Sequence, residues 1–175
     1  MPELDDDFLT PDVERWIHRL THRQVDLSPH VYRLRANVAI AIRDARTEVL
    51  RRTIRGHNLV VNVGLAAIAA GFTGTAPTIT HIGYGSGSTA AAAGDTALQT
   101  QIVQYPITQV ASSGAVATAQ HYLSSGLLNG STIREIGLFA SGALIARFVF
   151  SDADFQPKTS AVVGLVTWTM TGSAS

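Results

Sequence analysis

The sequence predicts a mainly β fold: a β-sandwich or flattened barrel with two or three short helices and an N-terminal helical arm. Three observations carry that expectation. Leu34, Ala36, Val38, Ile40 and Ile42 alternate with Arg33, Arg35, Asn37, Ala39, Ala41 and Arg43, the period of two of a half-buried strand. Residues 131–150, STIREIGLFASGALIARFVF, read as two short apolar strands around a Ser141-Gly142 turn. Turn signals then recur along the chain at Asp44–Thr47, Ser112–Gly114 and Asn129-Gly130, the last being the strongest hairpin signal present.

Taken in order, the acidic start MPELDDDF reads as a solvated tail. Thr10-Pro11-Asp12 is a helix-start signal, with Thr as cap and Pro at the first helical position. Val13, Trp16, Ile17 and Leu20 follow at helical spacing as a narrow apolar stripe, which can pack on its own domain or dock on a partner. Residues 1–30 are therefore expected to form an arm, and residues 31–175 a β-rich domain. The alternating strand turns at Asp44–Thr47 and returns through Glu48 to Arg55. Asn58 to Ala70 suits a helix that Asn62 caps and Gly71 ends. Further strands are expected at 78–84, 105–110, 115–123 and 161–170, and a short helix from Asp95 to about Ile102.

The charge is unevenly spread. Net charge is zero, with 13 basic and 13 acidic side chains in 175 residues. Residues 1–57 hold 10 of the basic and 9 of the acidic ones, which leaves 3 and 4 for the remaining 118 residues. A surface so poor in charge is poorly protected against self-association, and the expectation is that neighbouring subunits cover much of it. There is no cysteine, which excludes a disulfide framework and a thiolate zinc site. The acidic N-terminus lacks the positive start of a signal peptide, and the uncharged stretch from Asn58 to Gly94 is too broken by Gly, Pro, Thr and Ser to cross a membrane. The expected protein is soluble, intracellular when made, and has no membrane partner.

Candidate chemistry is sparse. Gly85-Ser86-Gly87-Ser88-Thr89-Ala90 fits a loose dinucleotide fingerprint, but Gly94 interrupts the helix that should follow and no acid lies near Tyr105-Pro106. Glu14, His18 and His22 share a helical face without a further ligand, so a solvated polar face is expected there rather than a metal. His30, His57, His81 and His121 have no ligand spacing. Asp152 and Asp154 read as a solvated turn. Arg43, Arg46, Arg51, Arg52 and Arg55 make one hairpin basic, but Asp44, Glu48 and the acidic tail dilute its field, which disfavours nucleic acid. No catalytic residue, cofactor or metal is expected, and no enzyme activity. Arg134 and Glu135 stand inside an apolar run and face opposite ways, so each is expected to meet a partner from another strand or another chain.

REIGLF with its small-residue turn and ALIARFVF resembles the matching segment of bacteriophage tail-collar and tail-fibre attachment proteins. Upstream, ITHIGYGSGSTAAAAGDTALQTQIVQYPI resembles that family's strand, Gly-rich loop, "DTAL" turn and return strand, and HNLVVNVGLAAIAAGF its opening; together these span roughly residues 57–170. The resemblance implies a virion protein made in the host bacterial cytoplasm. It would act as a tail, collar or baseplate adaptor, or a fibre-attachment module, through homo-oligomerisation (a trimer or ring) and docking on other phage tail or capsid proteins. On that reading Trp16, Ile17 and Leu20 anchor the arm on a partner, and Arg134 and Glu135 fix strand or subunit register through ion pairs. Long fibre proteins continue well beyond such a module, whereas this chain stops at Ser175, which favours an adaptor, collar or decoration role. Capsid decoration is the nearest alternative. A carbohydrate-binding module is another, for which only Tyr84, Tyr105, Tyr122 and Trp168 are available in the β region.

Overall fold

The computed structural model describes residues 32–151 and 157–174. Strand β1 (Tyr32–Asp44) pairs antiparallel with β2 (Leu50–His57), and Val38, Ile40 and Ile54 face inward as the alternation requires. The turn between them is held by Asp44, whose carboxylate accepts the Arg46 and Thr47 N–H groups at 2.9 Å and also pairs with Arg51. Those two backbone bonds and the guanidinium hold the Asp44 carboxyl well below the usual carboxylate range. The short β3 (Leu59–Val60) leads into helix α1 (Asn62–Gly71). Then come β4 (Ile79–Gly85), β5 (Gln101–Pro106), β6 (Gln109–Ser113), β7 (Val116–Leu123), β8 (Glu135–Ala140), β9 (Ala143–Val149) and β10 (Val162–Ala174).

The strands make two five-stranded sheets, in the orders β2-β1-β10-β7-β6 and β3-β9-β8-β4-β5. The protein is therefore mainly β, a sandwich rather than a closed barrel. Its core lies between the sheets, where Val38, Ile40, Val166 and Trp168 of the first meet Ile82, Tyr84, Ile136, Leu138 and Phe148 of the second. Tyr84 donates to or accepts from His121 Nδ1 at 2.7 Å inside this core, and the His121 ring stacks on Tyr105 at 5.5 Å. Burial pushes the His121 pKa down and the Tyr84 hydroxyl up.

The second sheet carries a further layer on its outer face. There Val61, Leu98, Phe139 and Leu144 form a second apolar cluster beneath α1 and the 86–100 loop. Gly83 and Gly137 sit opposite each other in the β4–β8 pairing, and a Cβ on either would meet Leu98 at 3.0 or 2.9 Å. The paired glycines thus leave the space that the Leu98 side chain fills. The β8–β9 register shifts between Leu138 and Phe139, so that Ile145 is an extra, bulged residue. This puts both Leu144 and Arg147 on the outer face and frees the Ile145 carbonyl to accept the Val61 N–H at 3.1 Å.

Several expectations need correction. No helix begins at Asp95: residues 95–100 run as turns and loop, and α1 is the only helix among the described residues. Asn62 is the first residue of α1 rather than its cap; Val61 holds that place without a side-chain cap bond, and the Asn62 N–H is taken by the Ala93 carbonyl at 2.8 Å. The helix runs through Gly71 to Phe72 in ordinary right-handed geometry, and the left-handed glycine comes later, at Gly74. The expected strand 105–110 divides where the chain crosses between sheets: the Ile107 N–H bonds to Thr80 in one, the Thr108 N–H to Gln120 in the other. Asn129-Gly130 does not close a hairpin. It lies in the connection from β7 to β8, which belong to different sheets, and Asn129 there accepts from Lys158 Nζ at 3.1 Å. The hairpin turns that do form are the one after Asp44 between β1 and β2, Ser141-Gly142, both with positive φ, and the one at Gly114. The expected Trp16-containing helix, the Glu14/His18/His22 face and the Asp152/Asp154 turn lie outside the described residues.

Candidate functional site

The polar residues of the outer layer converge on one buried node. Glu135 opens β8 fully buried, and Arg147 of β9, 2 % exposed, points to the same outer face of the sheet. Arg147 Nε donates to Glu135 Oε2 at 2.7 Å, its Nη1 to Asp95 Oδ2 at 2.7 Å and its Nη2 to the Thr89 carbonyl at 3.0 Å. Glu135 also accepts three backbone N–H groups, from Thr100 at 2.7 Å, Gln99 at 3.0 Å and Gly87 at 3.1 Å. Asp95 Oδ2 accepts the Ala92 N–H at 2.9 Å as well.

The electrostatics follow from these bonds. The Ala92 N–H first, and then Arg147, holds the Asp95 carboxyl below its ordinary range. Burial works against the charge of Arg147, but its bonds to Asp95 and Glu135 outweigh that cost and raise its pKa. Room for the carboxylate comes from two glycines: a Cβ at Gly85 or Gly87 would stand 2.5 Å from Glu135 Oε1. The loose dinucleotide fingerprint therefore has a local explanation. Its glycines make space for a side chain of the same chain, and its Gly87 N–H donates to Glu135, while the Ser86 and Thr89 N–H groups go to the Thr100 carbonyl and Gln99 Oε1.

Chemically, the node fastens the 86–100 loop over the second sheet. Each of its polar groups named above is used within the network, so it holds the loop and exposes little of its own charge. Sequence reasoning found Glu135 as a costly charge needing a partner from another strand or another chain. The partner is Arg147, within the chain and on the neighbouring strand. Arg134 lies on the opposite side of the backbone, at the end of the β4 pairing, where its N–H donates to the Gly85 carbonyl at 2.8 Å. Arg147, Asp95 and Leu98 were not singled out. The signal for them was available: Arg147 is the sole charge in ALIARFVF and Asp95 the sole charge between Asn58 and Ile133.

The surface around the node is neutral. Lys158, also buried, gives its three bonds to Thr159, Asn129 and Ser125 oxygens, and burial lowers its pKa. Phe72, 89 % exposed, and Leu65 are the exposed large apolar side chains beside α1, whereas the exposed Val49 and Val110 belong to the first sheet's β1–β2 turn and β6. One charge of the basic hairpin is paired, Arg51 with Asp44, while Arg43 donates to the uncharged Glu48 backbone carbonyl at 3.0 Å. His57 Nδ1 stands 2.6 Å from Asn37 Oδ1 on the outer face of the first sheet, where a concavity of about 480 Å³ also touches Ala39, Arg55 and Thr167. Of the four aromatic residues weighed for carbohydrate, Tyr84 and Trp168 are buried and Tyr122 is the exposed one. No helix among the described residues is long and apolar enough to cross a membrane. Compared with known protein families, curated proteins and solved structures, the chain matches none.

Proposed function

We propose that this chain is a structural protein of a bacteriophage virion. It serves as a tail, collar or baseplate adaptor or a fibre-attachment module, and it acts by packing against copies of itself and against other particle proteins. One observation carries the reading: from Asn58 to Ile133 a single charged side chain occurs, and it is bound to Arg147. A monomer living alone in water gains solubility from surface charge, which this stretch lacks across both sheets. A face covered by neighbours has no such need, and interface cores are depleted in charge. The resemblance of GYGSG, DTAL, REIGLF and ALIAR to phage attachment modules supports the same reading. These segments meet at the Glu135–Arg147–Asp95 node, which gives their spacing a shared physical purpose.

Capsid decoration rests on the same neutral surface and differs in location only. A carbohydrate-binding module is less supported, because stacking on sugars calls for exposed aromatic rings and most of those in the β region are turned inward. Under this proposal Trp16, Ile17 and Leu20 anchor the chain on a partner. Light scattering across a concentration series tests assembly, and an oligomer is the expected result. Locating the chain in purified particles, on tail or on capsid, separates adaptor from decoration. Deleting residues 1–30 is expected to leave a folded β domain that no longer enters particles. A persistent monomer absent from particles overturns the proposal.

A further inference from the structure

Among the buried polar side chains of the described residues, His121 is the only imidazole, the group that titrates near neutral pH. It stands where the chain crosses from one sheet to the other. Tyr84 of β4 meets its Nδ1 at 2.7 Å, and Tyr105 of β5 lies flat over the ring, 5.5 Å away and within 5° of parallel. Tyr84 and His121 are 1 % and 4 % exposed, whereas Tyr105 is half-buried and so the outermost of the three rings. The backbone ties the same point to the crossing. Thr108 donates its N–H to the Gln120 carbonyl at 2.8 Å, and its Oγ1 accepts the Tyr122 N–H at 3.0 Å. One residue between β5 and β6 thus holds the chain on both sides of His121. Both strands are sheet edges, β5 pairing only with β4 and β6 only with β7. All of β6 is exposed, whereas all of β8 is buried. Local opening starts at such thinly packed edges.

We propose that the β5–β6 corner is an acid-operated latch: a proton on His121 releases residues 101–113 while the rest of both sheets stays folded. A neutral ring fits this space. Its Nδ1 is matched by the Tyr84 hydroxyl, and its faces by Tyr105 and apolar neighbours such as Val166, its register partner on β10. An imidazolium would be a buried charge without a counter-ion. The titratable groups facing it are the Tyr84 and Tyr105 hydroxyls, and β6 and β10 bring none. Arg51 and Lys158 line a cavity together with Tyr84 and Leu123, and their charges oppose a further cation. His81, opposite Phe139, and the Glu135–Arg147 pair lie on the far face of the second sheet. Burial accordingly holds the His121 pKa below its ordinary value of 6.5. Swinging the outermost ring, Tyr105, away lets water reach the imidazole, and it uncovers Val103 and Ile107 of the same segment, which pack against the core.

Hydrogen exchange on the full chain, read strand by strand and corrected for the intrinsic rate at each pH, tests the latch. A hydrated imidazole titrates near about 6.5, so the open share rises as pH falls below that value, by up to about ten-fold between pH 7.5 and 5.5. Protection of residues 101–113 is expected to fall by about three- to ten-fold over that range, while β8 and β9 keep theirs. His121→Gln keeps a hydrogen-bonding partner for Tyr84 without a titrating group, and should remove the pH dependence. The wild-type contrast between strands decides the matter by itself where that variant fails to fold. Equal loss of protection in every strand overturns the latch, since acid then weakens the whole domain. Unchanged protection at 101–113 overturns it too. So does a pH dependence that survives His121→Gln, which assigns the proton to another group.

Discussion

At the scale of single residues, Arg147 sets the balance of the outer layer. Arg147→Met would leave Glu135 buried with its three backbone donors but no cation, and would release Asp95. Removing one partner from a buried ion pair costs about 3–5 kcal/mol, because the remaining charge stays desolvated. Chemical denaturation should show a loss of that size, with the 86–100 loop losing protection from hydrogen exchange first. Glu135→Gln in the Arg147→Met background should cost much less than the sum of the two single changes, since the uncompensated charge is then gone. His121 supplies a pH dependence. Its pKa is lowered in the folded protein, so the unfolded chain binds the proton more readily. The stability it contributes is present above the unfolded value of about 6.5 and lost as pH falls through it towards the folded value. The thermal midpoint should therefore drop between pH 7.5 and pH 5, and His121→Gln should flatten that part of the curve.

At the scale of elements, α1 and the second sheet are fitted by the absence of side chains. Gly→Ala inside a helix ordinarily stabilises by about 0.5–1 kcal/mol. Gly64 should reverse that sign, because its Cβ would stand 2.2 Å from the Ile145 carbonyl, a backbone atom that cannot step aside. Gly64→Ala is expected to destabilise by about 1–3 kcal/mol, as overpacking does. Gly94→Ala, which meets nothing within 4 Å, should be neutral or slightly stabilising, and denaturant midpoints of the two variants measured together check the contrast. The bulge at Ile145 belongs to the same design. Were Ile145 paired as an ordinary strand residue, Arg147 and Leu144, three apart, would fall on opposite faces, and the salt-bridged node could not share a surface with the helix.

At the scale of the whole molecule, the neutral outer surface makes a prediction about salt. Association between charged surfaces weakens steeply with ionic strength, whereas association driven by apolar burial does not. Self-association of this chain should therefore change little between low salt and about 0.5 M sodium chloride, whose Debye length of about 4 Å screens any exposed pair. A steep salt dependence measured by light scattering would place the contact on the basic hairpin of Arg46, Arg52 and Arg55 instead. The two sheets also differ in what their outer faces offer. The second is overlaid by α1 and the node-bound loop, while the first presents Asn37, Thr167 and Thr169 around a concavity and leaves Val110 and Tyr122 exposed.

What the sequence determined by itself was the local pattern. Alternation in β1, the apolar runs of β8 and β9 and the Ser141-Gly142 turn depend on neighbours a few residues apart, and there the fold class was legible. The depletion of charge after His57 was legible too, because composition needs no coordinates. Only the tertiary structure decided which distant residues meet. Asp95 looked like the start of a helix because Asp-Thr caps helices locally, yet its carboxylate is claimed by Arg147, 52 residues away. Asn129-Gly130 looked like a hairpin because turn chemistry is local, yet the strands on either side belong to different sheets. Gly85 and Gly87 fit a loose dinucleotide fingerprint, although they serve as space for Glu135. The reason is common to all three: a local signal is set by one residue's own torsions, whereas a buried charge or a filled gap is settled by whichever segment the sheet order brings within a few ångströms.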